Sequence, residues 1–306
     1  MPKIPDPILP LPLRRGDTIG IVAPAGPVRD ETALEAGLRL LTDMGFRTKY
    51  QANLLRQDNY LAGSDQERLN ELHNLWRDPD VRAILAVRGG YGCMRLLPEL
   101  DLNLIRSHPK MLIGFSDITA LLTAIHQETG LITFHGPMLT TLPRCDEASR
   151  EAFFQMLIGS PAQAIKPKGL EILRTGAAQG RLLPANLTTL THMIGTGFEP
   201  EWNDRILVLE DIGEAPYRID RLLTHLREAR RLQQAAGIIL GGFDECGAIE
   251  TIWQRVLDLT NKQPIPVWGN FPCGHGAANH ILPMGLHAIM DSSTGTLCIP
   301  NTSEYE

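Results

Sequence analysis

Apolar runs and amphipathic stretches alternate from the start of the chain. Residues 18–23 (TIGIVA) predict a buried strand, closed by the loop signal Pro24-Ala25-Gly26-Pro27. Leu34, Leu38 and Leu41 then fall on one helical face, and Gly45 is placed to end that helix. Ser64 and Glu67 have the spacing of a capping box, ahead of a helix whose buried stripe is Leu69, Leu72 and Leu75. Strands are predicted at residues 81–87 (VRAILAV), before the turn Arg88-Gly89-Gly90-Tyr91-Gly92, and at 111–115 (MLIGF). Ser116 then opens a helix running through Leu121 and Leu122, and a short strand at 131–134 leads into His135-Gly136-Pro137.

Strand–helix–strand units of this size imply a parallel sheet with helices on both faces. Ligands of such sheets sit where loops leave the carboxyl ends of the strands. The loops after residues 23, 87, 115 and 134 are therefore expected to share one rim. A helix at 147–157 precedes Gly159-Ser160-Pro161 and Lys166-Pro167-Lys168-Gly169, the best linker candidate. Beyond it, residues 180–183 lead to a helix at 187–194, and strands are expected at 205–209 (RILVL) and 237–240, with a further helix at 217–228. The last third, from Pro264, reads as loops with short strands near Val267 and at 288–290. The expected fold class is α/β in two domains. An N-terminal flavodoxin-like parallel sheet spans 1–158, 159–172 is a linker, and 173–306 is a smaller β/α domain.

Composition narrows the function classes. The chain has 306 residues, 43% hydrophobic and 21% charged, enough to bury a sizeable core without metals or disulfides. Its net charge of −6, with no basic run interleaved with aromatics, argues against nucleic acid as a partner. Five scattered cysteines without a CxxC suit a reducing compartment. The proline-broken N-terminus is a poor secretory signal, and no apolar stretch approaches the roughly 20 residues of a membrane helix. The expected location is the cytoplasm, with no membrane partner.

Four segments could carry chemistry. Ser116 in Gly114-Phe115-Ser116-Asp117 sits where a strand turns into a helix, a corner that exposes a nucleophile. On that segment alone, a helix cap by Ser116 or Asp117 is the better account, and the trailing glycine of G-x-S-x-G is missing. Gly89-Gly90 could bring backbone N–H groups to an oxyanion or form a plain tight turn. Glu210, at the end of a buried strand, could orient a histidine, although Asp211 or Glu214 could equally cap a helix there. His275 lies in a small-residue loop with room to reach a substrate, where His280 competes as base and Cys273 as nucleophile. Without HExxH or paired cysteines, no metal is expected.

Together and in this order, these segments resemble the LD-carboxypeptidases, the muramoyltetrapeptide carboxypeptidase family of serine peptidases. The resemblance runs through IVAPAGP, YLAGSDQERLNEL, AVRGGYGCMRLLPELD, IGFSDITAL, ITFHGPM, ILVLEDIGEAPYRIDRLL and FPCGHGAANHILPMGLHA, nearly the whole chain. It implies Ser116 as nucleophile, Glu210 as charge-relay acid and His275 as general base. It further implies an oxyanion hole from the N–H groups of Gly90 and Asp117, no cofactor, a murein tetrapeptide substrate and a homodimer. A free terminal carboxylate needs a cation, for which Arg88 is a candidate, although it could equally pair with a structural acid; Tyr91 is the other candidate substrate contact. Arg218 and Arg221 are expected to stabilise their helix. One departure is Pro184-Ala185-Asn186-Leu187, where such proteins often carry paired glycines before the Asn-Leu. Alternatives are a microcin-type peptide–nucleotide amidase, a non-catalytic murein-peptide binder and a general esterase.

Overall fold

The computed structural model describes residues 4–159 and 163–300. The first half runs β1 (Thr18–Val22), α1 (Glu31–Asp43), β2 (Arg47–Lys49), α2 (Asp65–Arg77), β3 (Val81–Ala86), α3 (Leu102–Ser107), β4 (Met111–Gly114), α4 (Thr119–Thr129), β5 (Thr133–His135) and α5 (Glu147–Ile158). Strands β2-β1-β3-β4-β5 are parallel in that spatial order, so the order reverses between β1 and β3. That is the flavodoxin-like arrangement, whose crevice opens at the reversal, beyond the carboxyl ends of the strands. Every residue of β1 is buried, as expected when helices cover both faces.

Helix starts follow their sequence signals. Ser64 Oγ accepts from the Glu67 amide at 3.3 Å, while Glu67 Oε2 accepts from the Ser64 amide at 2.8 Å, completing the capping box on α2. Asp30 caps α1 by accepting from the Ala33 amide at 2.9 Å.

The second half runs β6 (Gln163–Ile165), β7 (Glu171–Arg174), β8 (Ala177–Asn186), α6 (Leu187–His192), β9 (Arg205–Ile212), α7 (Pro216–Glu228), β10 (Ala235–Asp244), α8 (Ile249–Leu259), β11 (Val267–Gly269), β12 (Leu282–Met284), β13 (His287–Asp291) and β14 (Thr296–Ile299). The second sheet has the order β6-β14-β13-β8-β9-β10-β11-β7, parallel from β8 to β11 and antiparallel toward both edges. The segment expected as a linker at 159–172 carries β6 and the start of β7, while residues 160–162 lie outside the described residues. Strand β12 leaves its own half and pairs antiparallel with β5, closing the edge of the first sheet. The two halves also share apolar packing: Leu121 and Ile125 of α4 lie in one core with Leu187 and Leu190 of α6. The Thr119 hydroxyl accepts from the Asn186 amide at 3.1 Å across the same seam.

Pro184 lies inside a strand and tells where β8 changes neighbours. Toward β13 the pairing ends at Arg181↔His287, whereas toward β9 it continues through Pro184↔Val208 to Asn186↔Glu210. Past Leu182 the β13 side of the strand is free of that ladder, so a residue without an N–H costs it no β13 bond.

Arg68 on α2 is fully buried and ties three loops together. Its guanidinium donates to the carbonyls of Pro24, Gly63 (3.2 Å) and Gly92 (3.1 Å) and pairs with Asp65. The loops after β1 and β3 thereby stay in register at the crevice. Arg68→Leu leaves these buried acceptors without their donor and is expected to destabilise the protein by about 3 kcal/mol. Urea unfolding followed by circular dichroism reads this, and a loss under about 0.5 kcal/mol would contradict the clamp.

Candidate active site

The rim expected from sequence forms at the crevice. The Gly26 amide donates to Gly89 O at 3.2 Å, joining the loops after β1 and β3, and the Gly136 amide donates to Gly114 O at 3.0 Å, joining those after β4 and β5. Thr140 donates to Val87 O through both its amide (3.1 Å) and its hydroxyl (3.0 Å), which fixes the chain after β5 against the end of β3.

Ser116 follows β4 with φ at +62°, in the left-handed region that a side chain occupies only under constraint. Residues Ser116–Ile118 form a single 3-10 turn before α4, and no side-chain cap is made at the start of either helix. The capping account of Ser116 and Asp117 therefore fails. The Asp117 carboxylate instead accepts from the Cys93 amide at 2.9 Å. Its burial raises the pKa, opposed by that bond and by Arg68. The left-handed turn is what a strand-to-helix nucleophile elbow requires, here without the trailing glycine. Gly89 is pressed against it: a Cβ at that position would stand 2.8 Å from the Ser116 Cβ and 2.9 Å from its Oγ. Gly90 next to it has φ of +127°, again a glycine conformation.

Ser116, Gly89, Gly90 and His275 line one cavity of about 300 Å³. Phe115, Met138, Thr140 and Thr141 form its walls, and Arg29, Arg88 and Arg144 make it cationic. Arg144 is committed to Asp30 at 2.6 Å. Arg88 donates to Pro27 O at 3.1 Å, and among the described residues no carboxylate lies within ion-pair distance of it. Burial, and then the charge of Arg29, lowers its pKa from the ordinary arginine value. Tyr91 is apart from this cavity, half exposed and edge-on to Tyr60 at 5.7 Å. A larger cavity of about 660 Å³ between α7 and α8 contains no serine, cysteine or histidine in its lining, so the smaller one is the candidate.

His275 Nδ1 and Glu210 Oε2 are 2.7 Å apart. Glu210, near the end of β9, is wholly buried. Burial alone would push its pKa up, but the facing imidazoles of His135 and His275 outweigh that and hold it at about 2. Burial lowers the His275 pKa, and the bond to Glu210, with the charges of Glu210, Asp211 and Asp244, more than reverses this. Since the ionised carboxylate can only accept, Nδ1 carries the proton and Nε2 is left basic. An imidazole in this state can take a proton from a hydroxyl in the same cavity.

The competitors separate. Cys273 is 1% exposed, and burial, together with the charge of Glu210, pushes its thiol well above the ordinary value, unfit for a nucleophile. His280 does not line the cavity, and burial lowers its pKa. Asp211 accepts from Asn186 (3.0 Å), from the Thr188 hydroxyl (2.7 Å) and from the Thr188 amide (2.9 Å), and so secures α6, not α7. Arg218 pairs with Glu214 at 3.4 Å and Arg221 lies over the Tyr217 ring, both on α7 as expected. Among the described residues no cluster of three or more His, Cys, Asp or Glu is placed to hold a metal. Sequence reasoning missed Arg29, Arg144 and the 138–141 wall. Their signal was position alone, since they flank α1 and the loop after β5, and apart from Met138, which ends ITFHGPM, they belong to no motif.

An α/β protein of two sheets, with a strained serine and a carboxylate-bound histidine in one crevice, is the class that fold and site define. The LD-carboxypeptidase N-terminal domain matches residues 19–136 and the LD-carboxypeptidase C-terminal domain matches 179–290, so the chain belongs to the LD-carboxypeptidase family of serine-type hydrolases. It is 39% identical to the probable murein peptide carboxypeptidase of Bacillus subtilis (strain 168), over 95% of this chain and 93% of that one. It is 35% identical to the murein tetrapeptide carboxypeptidase of Pseudomonas aeruginosa, over 90% and 93%. Among solved structures it resembles MccF in complex with glutamyl sulfamoyl guanosine, with a TM-score of 0.90, 28% identity and 97% and 99% of the two chains covered.

The electrostatics of the pair are open to direct measurement. Removing the carboxylate charge in Glu210→Gln leaves burial opposed only by the charges of Asp211 and Asp244, so the His275 pKa should fall. An NMR pH titration of the histidine Cε1 protons reads both states. An unchanged His275 titration would contradict the coupling.

Proposed function

We propose that this chain is a serine LD-carboxypeptidase that releases the terminal D-alanine of murein tetrapeptides. The observation that carries the reading is the left-handed Ser116 in one cavity with His275, whose imidazole is bound to the buried Glu210 at 2.7 Å. The names of the murein-peptide relatives supply the substrate class.

In this reading His275 Nε2 takes the Ser116 proton as Oγ attacks the carbonyl between the L-centre of meso-diaminopimelate and D-alanine. Glu210 fixes the tautomer and stabilises the imidazolium. The amides of Gly90 and Asp117 receive the developing oxyanion, and loss of one such donor typically costs about 10²–10³ in turnover. His275 returns the proton to the leaving amine, D-alanine departs, and water hydrolyses the acyl-enzyme. Arg88, half-buried and without an acid within ion-pair distance among the described residues, is suited to grip the terminal carboxylate. Tyr91, outside the cavity, would meet only the more distant part of a longer muropeptide.

We place the enzyme in the cytoplasm, where its five unpaired thiols suit a reducing medium and where peptides recovered from the cell wall would be its substrate. We further propose a homodimer, as the family resemblance suggests, and a division into units 1–158 and 173–306, as the sequence pattern suggests. Cleavage of peptide–nucleotide conjugates is the second reading, favoured by the TM-score of 0.90 to MccF in its nucleoside-analogue complex.

Incubation of L-Ala–γ-D-Glu–meso-Dap–D-Ala with the protein, without added metal, should release D-alanine, detected by mass spectrometry. Ser116→Ala should lower kcat by about 10⁴-fold or more. Because His275 must be neutral to act and its pKa is raised, kcat/KM should climb with pH to a plateau reached above pH 6.5. Turnover of an aminoacyl sulfamoyl nucleoside with none of the tetrapeptide would give the second reading precedence. Equal release by wild type and Ser116→Ala would remove Ser116 from the reaction.

A further inference from the structure

Glu210 has two oxygens, and His275 uses only one. Oε1 is buried without a hydrogen-bond partner and faces Nε2 of His135 at 3.9 Å. That nitrogen is likewise buried and unpartnered, and His135 is inaccessible at the end of β5. Two orphaned polar atoms aimed at each other in a dry interior need a physical reason, since each alone carries a desolvation cost.

The other ring nitrogen supplies it. His135 Nδ1 lies 3.6 Å from the Cys273 Sγ. Burial, and secondarily the charge of Glu210, keeps that thiol protonated, so its S–H is available as a weak donor to Nδ1. The opposite tautomer would turn the Nε2 lone pair toward a carboxylate that has only lone pairs to offer. Both contacts select the form with the proton on Nε2. At 3.9 Å this N–H acts on the carboxylate as an oriented dipole, being too far for a formed hydrogen bond. Phe115 keeps the arrangement rigid, its ring 5.8 Å from that of His135 and 4.6 Å from that of His275.

We propose that His135 is a positioning residue: its Nε2–H, held in that tautomer by Cys273, faces the second oxygen of Glu210 and keeps the acid aligned with His275. This rests on the serine-hydrolase reading above. The charged and titratable groups around the pair are Glu210 and Asp211 on β9, Asp244 on β10, and Cys273 and His275 on the loop before β12. Removing the His135 dipole leaves the negative field of Glu210 less offset at His275, so the imidazolium is favoured.

The test compares wild type, His135→Leu and His135→Gln by the pH profile of D-alanine release. His135→Leu should lower kcat by up to about tenfold, since an oriented dipole facing a charge is worth less than a formed hydrogen bond to it, with KM within about twofold. It should also move the acidic limb of kcat/KM upward by roughly half a pH unit. His135→Gln, which restores an N–H near the Nε2 position, should recover most of both. A limb that stays in place in His135→Leu would overturn the proposal, because a merely structural loss lowers the plateau without moving it. A second measurement needs neither activity nor a folded variant: in wild-type protein with ¹⁵N-labelled histidine, the His135 ring should show its proton on Nε2. A proton on Nδ1 would overturn the proposal even if the enzyme releases D-alanine. Absent release of D-alanine with the proton on Nε2 would instead count against the substrate reading and leave the positioning geometry supported.

Discussion

The site depends on an ionised carboxylate in a place where charge is costly. Glu210 is wholly buried, and only the imidazoles facing its two oxygens make that tolerable. The requirement reaches outward into the architecture. One imidazole comes from the end of β5 in the first sheet, and the other from the loop between β11 and β12. The acid itself sits on β9 of the second sheet. A chain that bound these three groups separately would gain little, so the seam between the sheets has to be firm. Strand β12, paired with β5, and the shared core of α4 and α6 make it so.

On the facing side, backbone geometry carries the burden. A residue at φ +62° is strained unless its surroundings over-determine it. Ser116 is confined by Phe115 packed on two histidines, by the 3-10 turn beyond it and by Gly89, whose missing side chain is the space the serine occupies. The buried Arg68 holds the loops that bring Gly89 and Gly90 to that point. In the proposed reaction, rigidity here is what would keep a weak hydroxyl nucleophile in line with its base.

Much of this was legible in the chain, and the gaps have physical causes. Strong periodicity exposed β1, β3, β4, α1 and α2, and the ends of β3 and β4 already place the Gly89-Gly90 turn and Ser116 on one rim. Short edge strands such as β2, β6 and β12 left no signal, because three residues on a sheet edge have no period to read. The return of β12 to the first sheet is a long-range pairing that local pattern does not encode. Local reading favoured a cap at Ser116, since a cap and an elbow share the same composition and differ only in the sign of φ. The cations lining the cavity followed from folding alone: Arg29 and Arg144 are far apart in sequence and meet only across the crevice. His135 stood in the right motif, yet nothing in the sequence shows that its ring turns inward to an acid of the other sheet.

The central claim is that Ser116 is a nucleophile activated by His275 and Glu210. Reaction of the protein with a fluorophosphonate, followed by peptide mapping, tests it without reference to any substrate. The account predicts a single phosphonylated residue, Ser116, formed faster as pH rises through the His275 titration and suppressed in His275→Ala. An unlabelled Ser116, or a label carried by Cys273 or another residue, would contradict it.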